Sequence, residues 1–496
     1  MSNDPNLPPP VALRLSHELE EVIVDTRPIA MVILSRSLRT IVLIAGAIVF
    51  AVLLRKAPPA GLGVDGERAI AVFALAVIYW ISGAMPLMVT SLLVIVLLGL
   101  SGVMPARSAY ALFGNEAIFF ILAAFMLAAA VNHRGLGRRI ALTIFRRFGR
   151  TPHSLVLSVY LSCALMSFLM PEHAVAAMVF PIVLDLTNAM GLTPGRSRYA
   201  TSLFLAMAWG VNVGGIATLL GGARAPLALG ILNEATGRSI TFMQWSAATL
   251  PLVAILLVAG YAVLSIFFPS DLESVEKSTD ALASRASAIG RMTFDEKAVA
   301  AILAVTVMAW LFGSRAYGYA SIAILAVVAL FVFNLLTWHE VEEYVNWGIV
   351  LMYGGAIAIG AALEHTGAAR FLANATLGRV RSPLLTMAIL SLIAELLGEM
   401  LSHSAVVAAL LPVGLGLARS FGLDPRAITL TVAIPAGLTF ILPVGTPGNA
   451  LAYSSGYLRT RDLVIPGALM ILSAWLGLNL MIHLYWPWIG LSPFAP

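Results

Sequence analysis

Apolar runs near the length a helix needs to cross a bilayer, about 20 residues, recur from residue 39 almost to the end of this chain. Several such segments share one bundle, so the expected fold is an all-α polytopic membrane protein. Read against Pro, Gly and charge punctuation, spans are expected near 39–54, 68–84, 86–104, 115–133, 197–231, 245–268, 296–313, 316–336, 346–364, 426–456 and 464–488, eleven in all. Composition agrees: of 496 residues, 60% are hydrophobic and 11% charged, whereas soluble domains carry about 25% charged residues. No stretch is polar and long enough to form an independent soluble domain.

Two further apolar stretches, 152–189 and 382–419, look too long for one crossing, and each is interrupted midway by polar residues. The interruptions read LMPEHAVAAMVFP (169–181) and LSHSAVVAALLP (401–412). Each stretch is expected to be a re-entrant hairpin, two half-length helices meeting at a polar tip, which a membrane tolerates only where the tip is buried in protein or faces water.

Residues 1–38 form a polar leader containing HELEEVIVDTR, which is not the pattern of a cleavable signal peptide. With this leader in the cytoplasm, 18 of the 30 Lys and Arg fall in cytoplasmic segments, 11 on the other side, and Arg224 at membrane depth. That bias favours this orientation, and an odd number of spans puts the C-terminus outside. The expected location is a bacterial inner (plasma) membrane. Because the basic residues sit mainly in short loops, the net charge of +5 is no sign of nucleic-acid binding. Cys163 is the sole cysteine, so an internal disulfide, a Cys-based zinc site and an iron–sulfur cluster are excluded.

The chain repeats itself. AAAVNHRGLGRRIA (128–141) corresponds to GAALEHTGAARFLA (360–373), AVAAMVFPIVLDL (174–186) to AVVAALLPVGLGL (405–417), and GGIATLLGGARAP (214–226) to LTFILPVGTPGNA (438–450). A first repeat is expected over 39–268, with a broken helix at 197–231. A cytoplasmic linker follows at 269–295, then a second repeat at 296–496 with a broken helix at 426–456. An odd number of spans between equivalents gives the repeats opposite topology. Inverted repeats with helices broken at corresponding positions are the sequence mark of a secondary transporter whose site lies between the repeats. An interrupted helix exposes unpaired N–H groups and the positive end of its dipole, which attract anions.

These residues resemble the divalent anion/sodium symporters, which carry dicarboxylates, citrate or sulfate. That family has Ser-Asn-Thr at both hairpin tips, a small and aliphatic run ending in Pro, and a Thr-Pro-Pro-Asn-like loop in each following broken helix. Here the frame occurs twice, and LPVGTPGNALAYSSGYLRTRDLVIPG (442–467) is similar to the second loop and its helix. The resemblance runs from about Leu43 to Tyr485. It implies a homodimer with a fixed scaffold and an elevator-like transport domain carrying both hairpins. It also implies a small-molecule anion as cargo and sodium as coupling ion.

Aligned on the closing Pro, the tips read Pro171-Glu172-His173 and Ser402-His403-Ser404 in place of Ser-Asn-Thr. The hydroxyl before the first tip is Ser167, its second counterpart is Gly398, and the neighbouring Glu399 fits the family. GGARA (221–225) replaces the first loop, with Gly221, Gly222, Arg224 and Ala225, whereas the second keeps Thr446, Pro447 and Asn449. The resemblance thus implies substrate contacts at Glu172, His173, Gly222, Ser402, His403, Ser404, Thr446 and Pro447. It implies ion coupling at Ser167, Glu172, Gly221, Arg224, Glu399 and Asn449. Sodium prefers hard oxygen ligands, like other hard cations, and several are replaced, so altered or lost sodium coupling is expected.

Three readings of the replacements stand side by side. Arg224, costly at membrane depth unless paired, acts as a built-in cation with Glu172 as partner, or it snorkels to an interface. Glu172, His173 and His403 carry a coupling proton, or they form a static ion pair with structural histidines. Ser402 and Ser404 contact the anion, or bond to their own helix backbone. Cys163 and Glu395 carry no specific signal and read as packing. As an enzyme the chain lacks a motif, since HELEE (17–21) and HEVEE (339–343) each miss the second His of the zinc pattern. A cation or proton antiporter of related fold and a non-transporting receptor remain competing readings.

Overall fold

Long apolar runs become helices because no other element pairs its backbone groups locally. In order they are α1 (Ile29–Arg55), α2 (Val64–Ser82), α3 (Leu87–Leu100), α4 (Glu116–His133), α5 (Leu136–Phe148), α6 (Pro152–Ser167), α7 (Glu172–Ala189), α8 (Arg198–Gly214), α9 (Arg224–Thr236) and α10 (Phe242–Phe267). Then come α11 (Glu276–Ile289), α12 (Phe294–Tyr317), α13 (Tyr319–Val332), α14 (Trp338–Tyr344), α15 (Trp347–His365), α16 (Ala368–Leu377), α17 (Pro383–Met400), α18 (His403–Phe421), α19 (Pro425–Ala433), α20 (Pro447–Ser454) and α21 (Thr460–Leu480). This computed structural model describes residues 29–270, 272, 275–377, 380 and 382–494. Residues 1–28 of the leader, with HELEE, lie outside the described residues.

Among the described residues eight helices are long and apolar enough to cross a membrane, which makes the chain an integral membrane protein. They differ from the eleven spans expected. Both arms of the second hairpin, α17 and α18, are among the eight, while α3, α6 and α13 are apolar but shorter. The run at 197–231 folds as two pieces, α8 and α9, with residues 215–223 non-helical between them and α9 continuing to Thr236. The run at 426–456 likewise divides into α19 and α20 around a 3-10 turn (Pro435–Gly437) and a non-helical stretch.

One succession of elements occurs twice. A long helix, a tight turn, an amphipathic helix, a hairpin and a broken helix appear as α4 to α9 and again as α15 to α20. The tight turns place Gly135 at φ +78° and Gly367 at φ +74°, a left-handed conformation that side chains disfavour. These two glycines lie at equivalent places in the repeated segment 128–141 and 360–373.

The polar segment 269–295, expected as a linker, contains α11, which packs on α5 and α7. Leu282 is buried in that contact, and Arg285 pairs with Asp185. Polar composition suggested only a linker, but among the described side chains buried Leu282 and the Arg285–Asp185 pair dock the helix. Nearby, Arg139 of α5 reaches Glu296, which closes the capping box of α12 with Thr293 (Nε–Oε1 2.7 Å). His339 in HEVEE lies on the exposed helix α14, against Glu343 at 3.1 Å.

The first helix break is held open from outside. Trp245 and Thr249 of α10 donate to Ile216 O (3.0 Å) and Ala217 O (3.1 Å), and Thr218 donates to Phe168 O in the hairpin tip (2.7 Å). These bonds replace helical partners that the break removes, as buried backbone groups require.

Candidate functional site

The first hairpin turns at Pro171. Its fixed φ ends any continuation of α6, and its carbonyl accepts from Ala174 N, starting α7 at Glu172. Glu172 N donates to Gly221 O (2.9 Å), which ties the tip to the first helix break. Glu172 and Ser167 are both buried.

Arg224 opens α9 from the far side of the same break and is 1% exposed. Its Nη1 donates to Glu172 Oε2 (3.1 Å) and lies 3.2 Å from His403 Nδ1. His403, at the start of α18 in the second hairpin, places the same Nδ1 3.1 Å from Glu172 Oε1. With one proton at most, Nδ1 either donates to Glu172 or accepts from Arg224. The tips of both hairpins and the first broken helix therefore meet in one knot of three side chains. Tyr353 donates to Ala223 O, bracing the start of α9.

Glycines make room for the guanidinium. A Cβ at Gly222 would fall 2.5 Å from Arg224 Nη1, and a Cβ at Gly437 would land on the guanidinium itself. Gly437 belongs to the second broken helix, so Arg224 touches elements of both halves. Three polar atoms at or beside the knot are buried without a partner: Arg224 Nη2, His403 Nε2 and Ser167 Oγ. Buried polar groups are rarely left in that condition.

A second polar centre lies along the non-helical stretch after α19. Glu399, near the end of α17, accepts from Phe440 N (2.5 Å), Ile441 N (3.1 Å) and Leu442 N (2.8 Å). Successive N–H groups turned to one side form an anion-holding nest. Thr446 caps α20 by accepting from Asn449 N, with Pro447 in the first turn. Asn449 donates to Thr439 O (3.3 Å) and Leu442 O (3.2 Å). Asn212 of α8 donates to Thr439 O (2.7 Å) and Asn449 Oδ1 (3.3 Å), and its own Oδ1 has no partner. Trp209, one turn earlier, donates to Phe440 O. The first broken helix thus grips the second.

The structure gathers Glu172, Arg224 and His403 together, with Ser167, Gly221 and Gly222 around them. It collects Glu399, Thr446, Pro447 and Asn449 at the second centre. His173, grouped with Glu172 in the sequence, stands apart, edge-on to Phe125 of α4 with ring centroids 5.9 Å apart. One residue along a helix turns a side chain through about 100°. Ser402 is exposed, and its oxygen accepts from Ala405 N as the cap of α18; Ser404 is 7% exposed in the first turn. Sequence reading missed Asn212, whose only signal was a lone amide in an apolar helix. It also set aside Glu395, which is fully buried one turn before Glu399 with both oxygens unpartnered.

No group of three or more His, Cys, Asp and Glu side chains suited to a metal occurs among the described residues. Around Arg224 a cation meets a fixed positive charge. At the second centre the carbonyls of Thr439 and Leu442 accept from the Asn212 and Asn449 amides, and Asn212 Oδ1, buried without a partner among the described residues, is an oxygen of the kind hard cations favour.

The family described as "Sodium:sulfate symporter transmembrane region" matches residues 36–492. A Staphylococcus saprophyticus protein, sodium-dependent dicarboxylate transporter SdcS, is 25% identical over 452 residues, covering 86% of this chain and 87% of the relative. Sodium-dependent high-affinity dicarboxylate transporter 3 of Caenorhabditis elegans is 27% identical over 445 residues, covering 80% and 79%. Among solved structures, Neisseria gonorrhoeae MtrF, described with antimetabolite efflux pumps, aligns at TM-score 0.55 and 14% identity over 90% of this chain and 94% of its own. The Alcanivorax borkumensis YdaH transporter aligns at 0.52 and 16% over 79% and 88%. At those identities the two structures share the fold alone with this chain.

Proposed function

The chain belongs to the sodium:sulfate symporter family, and from that premise we propose that it carries small divalent anions, of dicarboxylate or sulfate type, with Arg224 taking the place of one coupling cation. It is a secondary transporter rather than an enzyme. The observation that carries the reading is the unpartnered donor Arg224 Nη2 at the meeting of both hairpin tips, beside the unpartnered His403 Nε2, which is a donor when Nδ1 accepts from Arg224. A carboxylate or sulfate oxygen is the acceptor such donors favour, since charge-assisted hydrogen bonds are the strong ones. Relatives named for sodium-dependent dicarboxylate transport make succinate the first cargo to test.

Coupling divides between the two centres. Arg224 excludes a cation from the first, and one sodium enters the second, beside the unpartnered Asn212 Oδ1. The duplicated succession of helices supports an inverted repeat. In this reading both hairpins and both broken helices move together as an elevator, in a homodimer whose scaffold includes α1 to α3, with the N-terminus cytoplasmic in a bacterial inner membrane.

Uptake of labelled succinate and sulfate into proteoliposomes tests the proposal. Saturable uptake is expected, stimulated by a sodium gradient with a Hill coefficient near one. Cation or proton exchange without anion flux would replace it with an antiporter, and anion binding without flux would replace it with a receptor. Uptake driven by a pH gradient alone would move the coupling to Glu172 and His403.

A further inference from the structure

About 27 Å from the hairpin tip, at the far end of α7 by its rise per residue, loops from both halves of the chain meet. Tyr457 donates to Leu192 O (2.9 Å), Thr201 to Tyr457 O (3.0 Å), and Arg459 Nη2 to Gly195 O (2.6 Å). Between these loops lies a cavity of about 510 Å³, lined by Arg196, Arg198, Arg459 and Arg461. Its volume falls in the range of small-molecule sites, roughly 300–1,000 Å³.

The cavity has two unlike sides. Four guanidiniums face one carboxylate, Asp462, which lies 3.8 Å from Arg461. Arg196 and Arg198 are exposed, and among the described residues neither side chain has a hydrogen bond or ion pair. The other side is apolar: Ile266, 72% exposed, ends the span α10, and Ile465, 63% exposed, begins the span α21. Those two helices pack against each other, so the cavity opens at the edge of the hydrocarbon layer. A free anion matches only the guanidinium side. An amphiphile matches both.

We propose that this cavity holds the phosphate headgroup of an anionic phospholipid, with its acyl chains descending along α10 and α21. Basic pockets between spans at a membrane surface suit such headgroups. Since Arg196 and Arg198 lie just before and at the start of α8 while Arg459 and Arg461 lie just before and within the first turn of α21, the headgroup pins together the two halves that Asn212 and Trp209 join at depth. The site is independent of the cargo and of the coupling ion.

The test is lipid binding by the purified full chain in phosphatidylcholine nanodiscs, titrated with phosphatidylglycerol and read by native mass spectrometry and thermal melting. Selective binding of phosphatidylglycerol and a higher melting temperature are expected. The triple variant Arg196→Gln, Arg198→Gln, Arg461→Gln lowers that affinity roughly a hundredfold. Should it fail to fold, the single variant Arg198→Gln is expected to weaken binding about fivefold. A control that loses equal charge from the same basic end, Arg146→Gln, Arg147→Gln, Arg150→Gln, keeps the wild-type affinity. Equal losses in both triples would overturn the site in favour of a diffuse surface field. Displacement of the lipid by millimolar inorganic phosphate would overturn it in favour of a soluble anion. Absence of any preference over phosphatidylcholine would overturn it outright.

Discussion

Glu172 Oε2 and Arg224 Nη1 meet at 3.1 Å, with side chains 9% and 1% exposed, across 52 positions of sequence. Neither charge has water to fall back on, so each depends on the other. A buried pair adds little net stability, while removing one member leaves a bare charge that costs about 3–5 kcal/mol.

Arg224→Ala is therefore expected to destabilise the protein by about that amount and to abolish anion uptake. The double variant Glu172→Gln, Arg224→Met is expected to recover most of the melting temperature without recovering transport. Thermal melting beside proteoliposome uptake checks both, and restored uptake in the double variant would remove Arg224 from the site.

Gly437→Ala places a methyl on the Arg224 guanidinium. Overpacking of this kind costs about 1–3 kcal/mol, and the displaced guanidinium loses its contacts with Glu172 and His403. Uptake should fall by an order of magnitude or more. Gly422→Ala, at a surface turn with open space around it, is expected to leave uptake nearly unchanged despite local strain at its positive φ.

Two glutamates one turn apart should respond oppositely. Glu399→Gln turns an amide toward the nest of Phe440, Ile441 and Leu442 and is expected to cost about 2 kcal/mol. Glu395→Gln removes a carboxyl without partners, so its melting temperature should hold or rise. A loss at Glu395 as large as at Glu399 would show a partner for Glu395.

Asn212→Ala removes the unpartnered Oδ1 and the bonds to Thr439 and Asn449. The sodium concentration for half-maximal uptake is expected to rise at least tenfold, with the anion affinity at saturating sodium less affected. Unchanged sodium dependence would place the cation elsewhere.

Glu340, in α14 between two spans, provides a pH test. Burial pushes its carboxyl up, but bonds from Thr337 and the charges of Arg134 and His133 outweigh that and hold it below the ordinary carboxylate range. A carboxylate depressed by folding contributes stability above its unfolded pKa, about 4.3, and loses it as pH falls through the folded value. The melting-temperature difference between wild type and Glu340→Gln should thus narrow below that pH.

Much of this was legible because membrane physics restricts the options. Uninterrupted apolar runs specify helices, and an intramembrane Glu and Arg each demand a partner, so Glu172 and Arg224 point to each other in the sequence alone. The divided runs at 171 and 402 were visible through Pro and polar residues in repeated frames. What was hidden depends on direction rather than pattern. Glu172 and His173 are adjacent in sequence but point differently from a helix start, so only one joins the knot. Asn212 gave no spacing signal, and Glu395 became notable only when both its oxygens proved unpartnered. The docked α11 was hidden because the contacts described for it, buried Leu282 and the Arg285–Asp185 pair, leave no periodic trace.

The Glu172–Arg224 pair also has an electrical consequence. Its two charges cancel, so when the proposed moving unit returns empty, the pair itself contributes no net charge to the voltage dependence. A divalent anion accompanied by one sodium then leaves one net negative charge on the loaded step. The membrane potential acts on that charge with about 2.3 kcal/mol per 100 mV. An inside-negative membrane therefore pushes the cargo outward, and the sodium gradient must exceed that force for import.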